Sequence, residues 1–148
     1  MQGALSILRG GLLLLGIFAG LWVFGAWLLS WIGGWRRLVE QFGCKEPFDG
    51  TITHAASGRV GFIIYRLTLK LGVSDRGLYL AGFSMFRIFH PPLFIPWNQI
   101  QAEMRGRGMW AWNGLKLAFP AVPGATVTFY GRELDTVLPY VEGEESEE

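Results

Sequence analysis

Few residues in this 148-residue chain are of a kind that does chemistry. The two histidines, His54 and His90, are far apart in sequence and neither has a carboxylate close by, so no nucleophile–base pair can be read from spacing. Metal sites need clustered Cys, His or carboxylate ligands at set intervals, and the chain has no such cluster. The glycines of Gly106-Arg107-Gly108 lack the lysine and helix start of a phosphate-cradling loop. His90 stands directly before Pro91-Pro92, which places it in a turn, with its ring expected to bond backbone. The expectation is a non-enzymatic protein with no cofactor and no metal. One pattern does carry binding chemistry: Arg105 and Arg107 flank Met109, Trp110 and Trp112. Interleaved cations and aromatics can bind nucleic acid by stacking and phosphate contact. Beside an apolar helix on the same chain, three other readings stay open: a loop dipping toward anionic headgroups, a partner contact, or tryptophans that fill a barrel.

That helix comes from the N-terminus, where no charged residue occurs from Gly10 to Trp35. The run Gly11 to Ile32 would make a helix roughly 33 Å long at about 1.5 Å per residue, which suits a hydrocarbon core of about 30 Å. It is too long for the apolar part of a cleaved signal peptide, and it ends in LLSWIGGW, tryptophan-rich where a cleavage site needs small residues. A transmembrane anchor is expected. Arg36, Arg37 and Lys45 follow the run and Arg9 precedes it, a bias that places the following domain in the cytoplasm, at the inner (cytoplasmic) membrane. The single cysteine, Cys44, allows no intrachain disulfide and agrees with a reducing compartment. Trp27, Trp31 and Trp35 recur every four residues as a stripe that reads, with Arg36 and Arg37, as an interfacial anchor. Gly16 and Gly20 form a small-xxx-small pair that permits close helix approach, so a homodimer is one reading of the same helix. The helix is expected to run on through WRRLVEQF, with Leu38, Val39 and Phe42 on one face.

Three segments follow from composition: an anchor and juxtamembrane helix over 1–43, a β-rich domain over 44–141, and a tail over 142–148. The tail, EGEESEE, is too acidic and too poor in apolar residues to fold. It holds five of the twelve carboxylates, leaving residues 1–141 with a net charge of +6, which favours an anionic membrane surface. In RLTLKLGVSDRGLYLAG, Leu67, Leu69, Leu71 and Val73 alternate with Arg66, Thr68 and Lys70, the period of a half-buried strand. Ser74 to Gly77 is turn chemistry, with Gly77 taken as the residue free to adopt positive φ, so a hairpin is expected there. LFIPWNQI reads as the next strand, part of it confined by Pro96 to an edge or a bulge, with Phe94 and Trp97 in need of cover. MWAW, LKLAF and ATVTFY are three further strands, the first two joined by Asn113-Gly114. RELDTVLPYV places Leu134, Val137, Leu138 and Val141 at helical spacing, a short C-terminal helix ended by Pro139.

A β-meander of about five to seven strands closed by one amphipathic helix resembles a pleckstrin-homology-like (PH/GRAM-type) small barrel. LGVSDRGLYL resembles the strand–turn–strand of bacterial PH-like domains, and LFIPWNQI their following strand. The run GLYL…FR…HPPLFIPWNQI, Gly77 to Ile100, resembles a group of small bacterial single-pass membrane proteins, a group that brings no activity with it. Lipid-binding PH domains concentrate their basic residues in the first hairpin loop. The turn corresponding to it here offers Arg76. The resemblance implies an α+β, mainly β fold behind one transmembrane helix.

Two functions of different class are compatible with this reading. One is an anchored interaction module holding a PH-like domain at the membrane to bind protein or lipid. The other is a small accessory subunit of a membrane complex, packing through its glycine-containing helix. The expected partners are the bilayer, anionic headgroups or a membrane protein, and no nucleic acid.

Overall fold

The uncharged run folds as one long helix, α1, over Gln2–Ile32. A second helix, α2, covers Trp35–Phe42. The computed structural model describes all residues except 84–86, 107–112 and 146–148. The expected single helix is broken because Gly34 takes φ 79°, a left-handed conformation that costs glycine little and stops α-helix propagation. Gly33 and Gly34 form the joint, and the chain leaves it at a new angle.

Seven strands follow: β1 Thr51–Val60, β2 Ile63–Ser74, β3 Gly77–Gly82, β4 Leu93–Pro96, β5 Gln101–Arg105, β6 Gly114–Ala118 and β7 Thr126–Tyr130. They make one antiparallel sheet in the order β4-β3-β2-β1-β7-β6-β5, curled into a half-barrel. This differs from a simple meander. After β4 the chain crosses through a 3-10 turn, Trp97–Gln99, to the opposite edge, and β7 returns to pair with β1 at Arg59↔Thr128 and Val60↔Val127. A last helix, α3, covers Gly131–Glu145. Pro139 does not end it, and it runs on into the segment expected to be an unfolded tail. The fold is α+β and mainly β, as the alternation and the closing helix imply.

The concave face of the sheet carries the core: Leu69, Leu71, Leu78, Leu80, Ile95, Leu115, Leu117 and Phe129 are buried there. Helix α3 covers it with Leu134 and Val137. Helix α2 fills the remaining side with Trp35, Leu38 and Phe42, the last edge-on to Phe119 at 6.0 Å. Trp97 finds its cover in α3, stacked on Tyr140 at 5.5 Å, and its indole N–H donates to the Ser74 carbonyl at 2.8 Å. Pro96 lies on edge strand β4, where its missing N–H breaks no ladder. Phe94 lies beside Phe48.

Two positions depart from the alternation. Leu67 was expected on the apolar face with Leu69 and Leu71; it is instead 63% exposed, with φ 54°, where β1 and β2 bulge. The hairpin turn at Asp75-Arg76 is as expected, but Gly77 pairs with Pro96 within the sheet and has no positive φ. Its glycine answers to close approach: a Cβ there would lie 2.5 Å from the Ile95 carbonyl oxygen. Gly77→Ala should therefore lower stability by about 1–3 kcal/mol, the usual range for forcing extra atoms into a packed site. The change would be read as a lower denaturant midpoint of the full chain in mild detergent; an unchanged midpoint would refute the close-approach account.

Candidate functional site

The surface with most unusual chemistry lies where α1 meets the domain. Strands β1 and β2 run to a tight tip at Gly61-Phe62, and this tip abuts the α1–α2 joint: a Cβ on Gly61 would stand 2.7 Å from the Gly33 carbonyl oxygen. Phe62 at the tip is 80% exposed, and Ile64 next to it is exposed as well. The true first hairpin loop is thus apolar Gly61-Phe62, not the Asp75-Arg76 turn assigned to that place from sequence. β3 then returns toward the same end, and the turn 87–90 reaches α1. Phe89 shares a groove with Val23, Phe24 and Trp27, and Ile88 beside it is 81% exposed.

Hydrogen bonds fasten this turn to the helices. The Ser30 hydroxyl donates to the Phe89 carbonyl at 2.7 Å, the Trp35 indole N–H to the Pro91 carbonyl at 3.1 Å, and the Cys44 N–H to the Pro92 carbonyl at 2.9 Å. Ser30 and Ala26 are the two buried residues of α1, and both belong to this contact end. Buried His90 sits behind it, with Nε2 2.9 Å from the Tyr65 hydroxyl and its ring edge-on to Trp35 at 5.2 Å. A backbone partner was expected for this ring; the contact at Nε2 is a phenol from β2. Burial pushes the Tyr65 phenol well above the ordinary tyrosine range.

The expected anchor residues divide. Trp31 is 55% exposed, lies 5.9 Å from the Trp27 ring, and carries the Arg36 guanidinium 5.2 Å above it. Arg36 also faces Glu40 at 3.9 Å. Trp35 does not belong to an interfacial belt: past the Gly33-Gly34 break it turns inward and is fully buried in the domain core. Arg37 is likewise engaged by the domain, donating to the Pro123 carbonyl. Gly16 and Gly20 face open space. Arg105 pairs with Gly114, which pairs with Tyr130, the end of β7 remote from the hairpin tip. That register sets Arg105 away from the α1 junction. Arg107, Trp110 and Trp112, with the MWAW strand, lie outside the described residues.

A second feature escaped sequence reasoning. Beyond Arg59↔Thr128, β1 parts from β7, and the gap leaves an open groove of about 790 Å³. Ile64, Leu67 and Tyr130 give its apolar wall, and Arg59 and Arg66 its cations. Neither arginine has a carboxylate partner among the described residues. Ser57 holds the bulge: its N–H donates to the Glu133 carboxylate at 3.1 Å, and its hydroxyl accepts from the Leu67 N–H at 2.9 Å. Among the described residues no three His, Cys, Asp or Glu side chains form a group able to hold a metal.

Two measurements check this description. Trp35→Ala should lower the stability of the full chain by about 3–5 kcal/mol, as for other buried aromatics, with Trp31→Ala costing under about 1 kcal/mol; equal effects would refute the division. The Tyr65 phenol ionises near pH 10 when unfolded but at higher pH when folded. Its contribution is therefore complete below about pH 10 and is lost as pH rises, at up to about 1.4 kcal/mol per unit. Tyr65→Phe should flatten that part of the alkaline stability profile, and a profile identical to wild type would exclude the assignment.

Among solved structures the chain is similar to the N-terminal PH domain of Vps36, at 14% identity and a TM-score of 0.42, over 65% of this chain and 80% of that one. No protein-family model matches the chain, and no curated protein does.

Proposed function

We propose that this protein is a single-pass membrane-anchored interaction module, with α1 crossing the bilayer and the half-barrel held at its cytoplasmic face to bind lipid or protein. One observation carries the reading. α1 is long and apolar enough to cross a membrane, and its large apolar side chains are exposed. A helix of this kind needs an apolar solvent, since burial in its own domain reaches just Ala26 and Ser30. The Lys/Arg bias around it supports the cytoplasmic side for the domain, which in a bacterial cell would be the inner face of the inner membrane.

The groove beside β1 and β2 is the binding surface of this module. Its size falls within the range of about 300–1,000 Å³ usual for ligand sites, and its two guanidiniums, neither with a carboxylate partner among the described residues, suit an anionic amphiphile over the apolar wall, although Arg59 also donates to the Gly61 carbonyl at 3.0 Å. The alternative, an accessory subunit packing through α1, is favoured by one feature: Gly16 and Gly20 present an open face for a second helix.

The test uses the full chain. Carbonate washing should leave it in the membrane fraction; recovery in the supernatant would refute the anchor. Affinity purification in mild detergent, with mass spectrometry of what co-purifies, should find an anionic lipid or an acidic protein. Each surface cation contributes about 1 kcal/mol, so Arg59→Gln with Arg66→Gln should reduce that recovery roughly 30-fold. Recovery unaffected by the double variant, but abolished when α1 is exchanged for an unrelated apolar helix, would favour the accessory subunit.

A further inference from the structure

We propose that the turn 87–90 is a second membrane-embedded element, with Ile88 and Phe89 lying among lipid acyl chains beside α1. The inference rests on the reading of α1 as a membrane-spanning helix, and it adds a site of bilayer contact outside that helix. Its starting point is depth. Ser30 fastens the Phe89 backbone at the last turn of α1, but the Phe89 side chain shares its groove with Val23, Phe24 and Trp27. Those residues stand about 8–13 Å before the helix end at roughly 1.5 Å per residue. The ring therefore points along α1 toward the bilayer centre, away from the domain.

Irregular backbone survives at such depth when its polar groups find partners within the protein. In this turn three carbonyls meet that condition. The carbonyls of Phe89, Pro91 and Pro92 each accept from α1, from α2 or from the residue just past α2, through the Ser30 hydroxyl, the Trp35 indole and the Cys44 N–H. Pro91 and Pro92 have no N–H to satisfy. The double proline thus removes donors where water would be scarce, and Ser30, the one hydroxyl between Gly10 and Trp35, supplies a donor to the same stretch.

Ile88 and Phe89 line a groove with Trp27, Trp31 and Arg36, a cation at the end of α1 where headgroups would begin. Ile88 is 81% exposed. Its occupant is argued from continuity: the exposed apolar surface of α1 runs directly onto Phe89 and Ile88, and lipid covers the first.

Site-directed labelling tests this in the full chain, reconstituted in nanodiscs of phosphatidylcholine and phosphatidylglycerol on a Cys44→Ser background. Ile88→Cys should react with a membrane-impermeant maleimide at least about tenfold more slowly than Asp75→Cys in the far turn, with Leu14→Cys in mid-helix protected as the reference. A fluorophore coupled at Ile88→Cys after detergent exposure, then returned to nanodiscs, should be quenched by lipids carrying bromine on their acyl chains. Fast reaction at Ile88→Cys with Leu14→Cys still protected would overturn this proposal and leave the anchor standing. Fast reaction at both would overturn the anchor and this proposal together. Slow reaction without quenching would mean that protein covers the turn, and would overturn the lipid assignment.

Discussion

Peptide carbonyls at the end of an apolar helix must be satisfied before any chain can be folded against it. In this molecule three carbonyls of the segment 89–92 are met by donors from the α1–α2 region. Two consecutive prolines there leave correspondingly few N–H groups in need of acceptors. Much else follows from that arrangement. Ser30 is a hydroxyl in an apolar helix because a carbonyl faces it. Trp35 is fully buried because its indole both fills the core and reaches Pro91. His90 lies behind the seam between Trp35 and Tyr65, and so couples β2 to the helical joint.

The joint itself is a problem of close approach. Gly33 and Gly61 bring the α1 terminus and the β1–β2 tip together at a distance that side chains would prevent. α2 then drives Trp35, Leu38 and Phe42 into the half-barrel. The domain does not hang from its helix on a linker. Its orientation is set by packed aromatics and by short hydrogen bonds, and that orientation decides which apolar side chains share the level of the helix end. Phe62 at the β1–β2 tip and Ile88 in the turn 87–90 are both brought to this end of the domain.

Away from the joint, the β1–β2 pair departs from regular geometry. Ala55 and Leu67 both take φ 54°, a conformation that L-residues adopt at a cost. Ser57 stabilises it from both sides, through Glu133 and through the Leu67 N–H. The bulge turns Leu67 outward and lets β1 leave β7 after two residue pairs. Strain spent in this way leaves a groove where an unbroken sheet would have a flat face.

The chemistry of single segments was enough to determine some of this protein. Twenty-six positions without charge determine a long apolar helix; Leu69, Leu71 and Val73 determine a strand face; the spacing of Leu134, Val137 and Leu138 determines a closing helix. These are local properties, because period and solvent preference are carried by neighbours in the chain. What covers each face was decided by tertiary structure alone. Trp35 continues the tryptophan stripe in sequence, yet a left-handed glycine turns it from lipid to core. Leu67 continues the leucine alternation, yet a bulge turns it to solvent. Gly77 reads as a turn residue, yet the neighbouring strand requires its missing side chain. Periodicity reports which residues share a face. A backbone break of one residue, or a strand whose contact lies eighteen positions away, reassigns that face without altering the pattern.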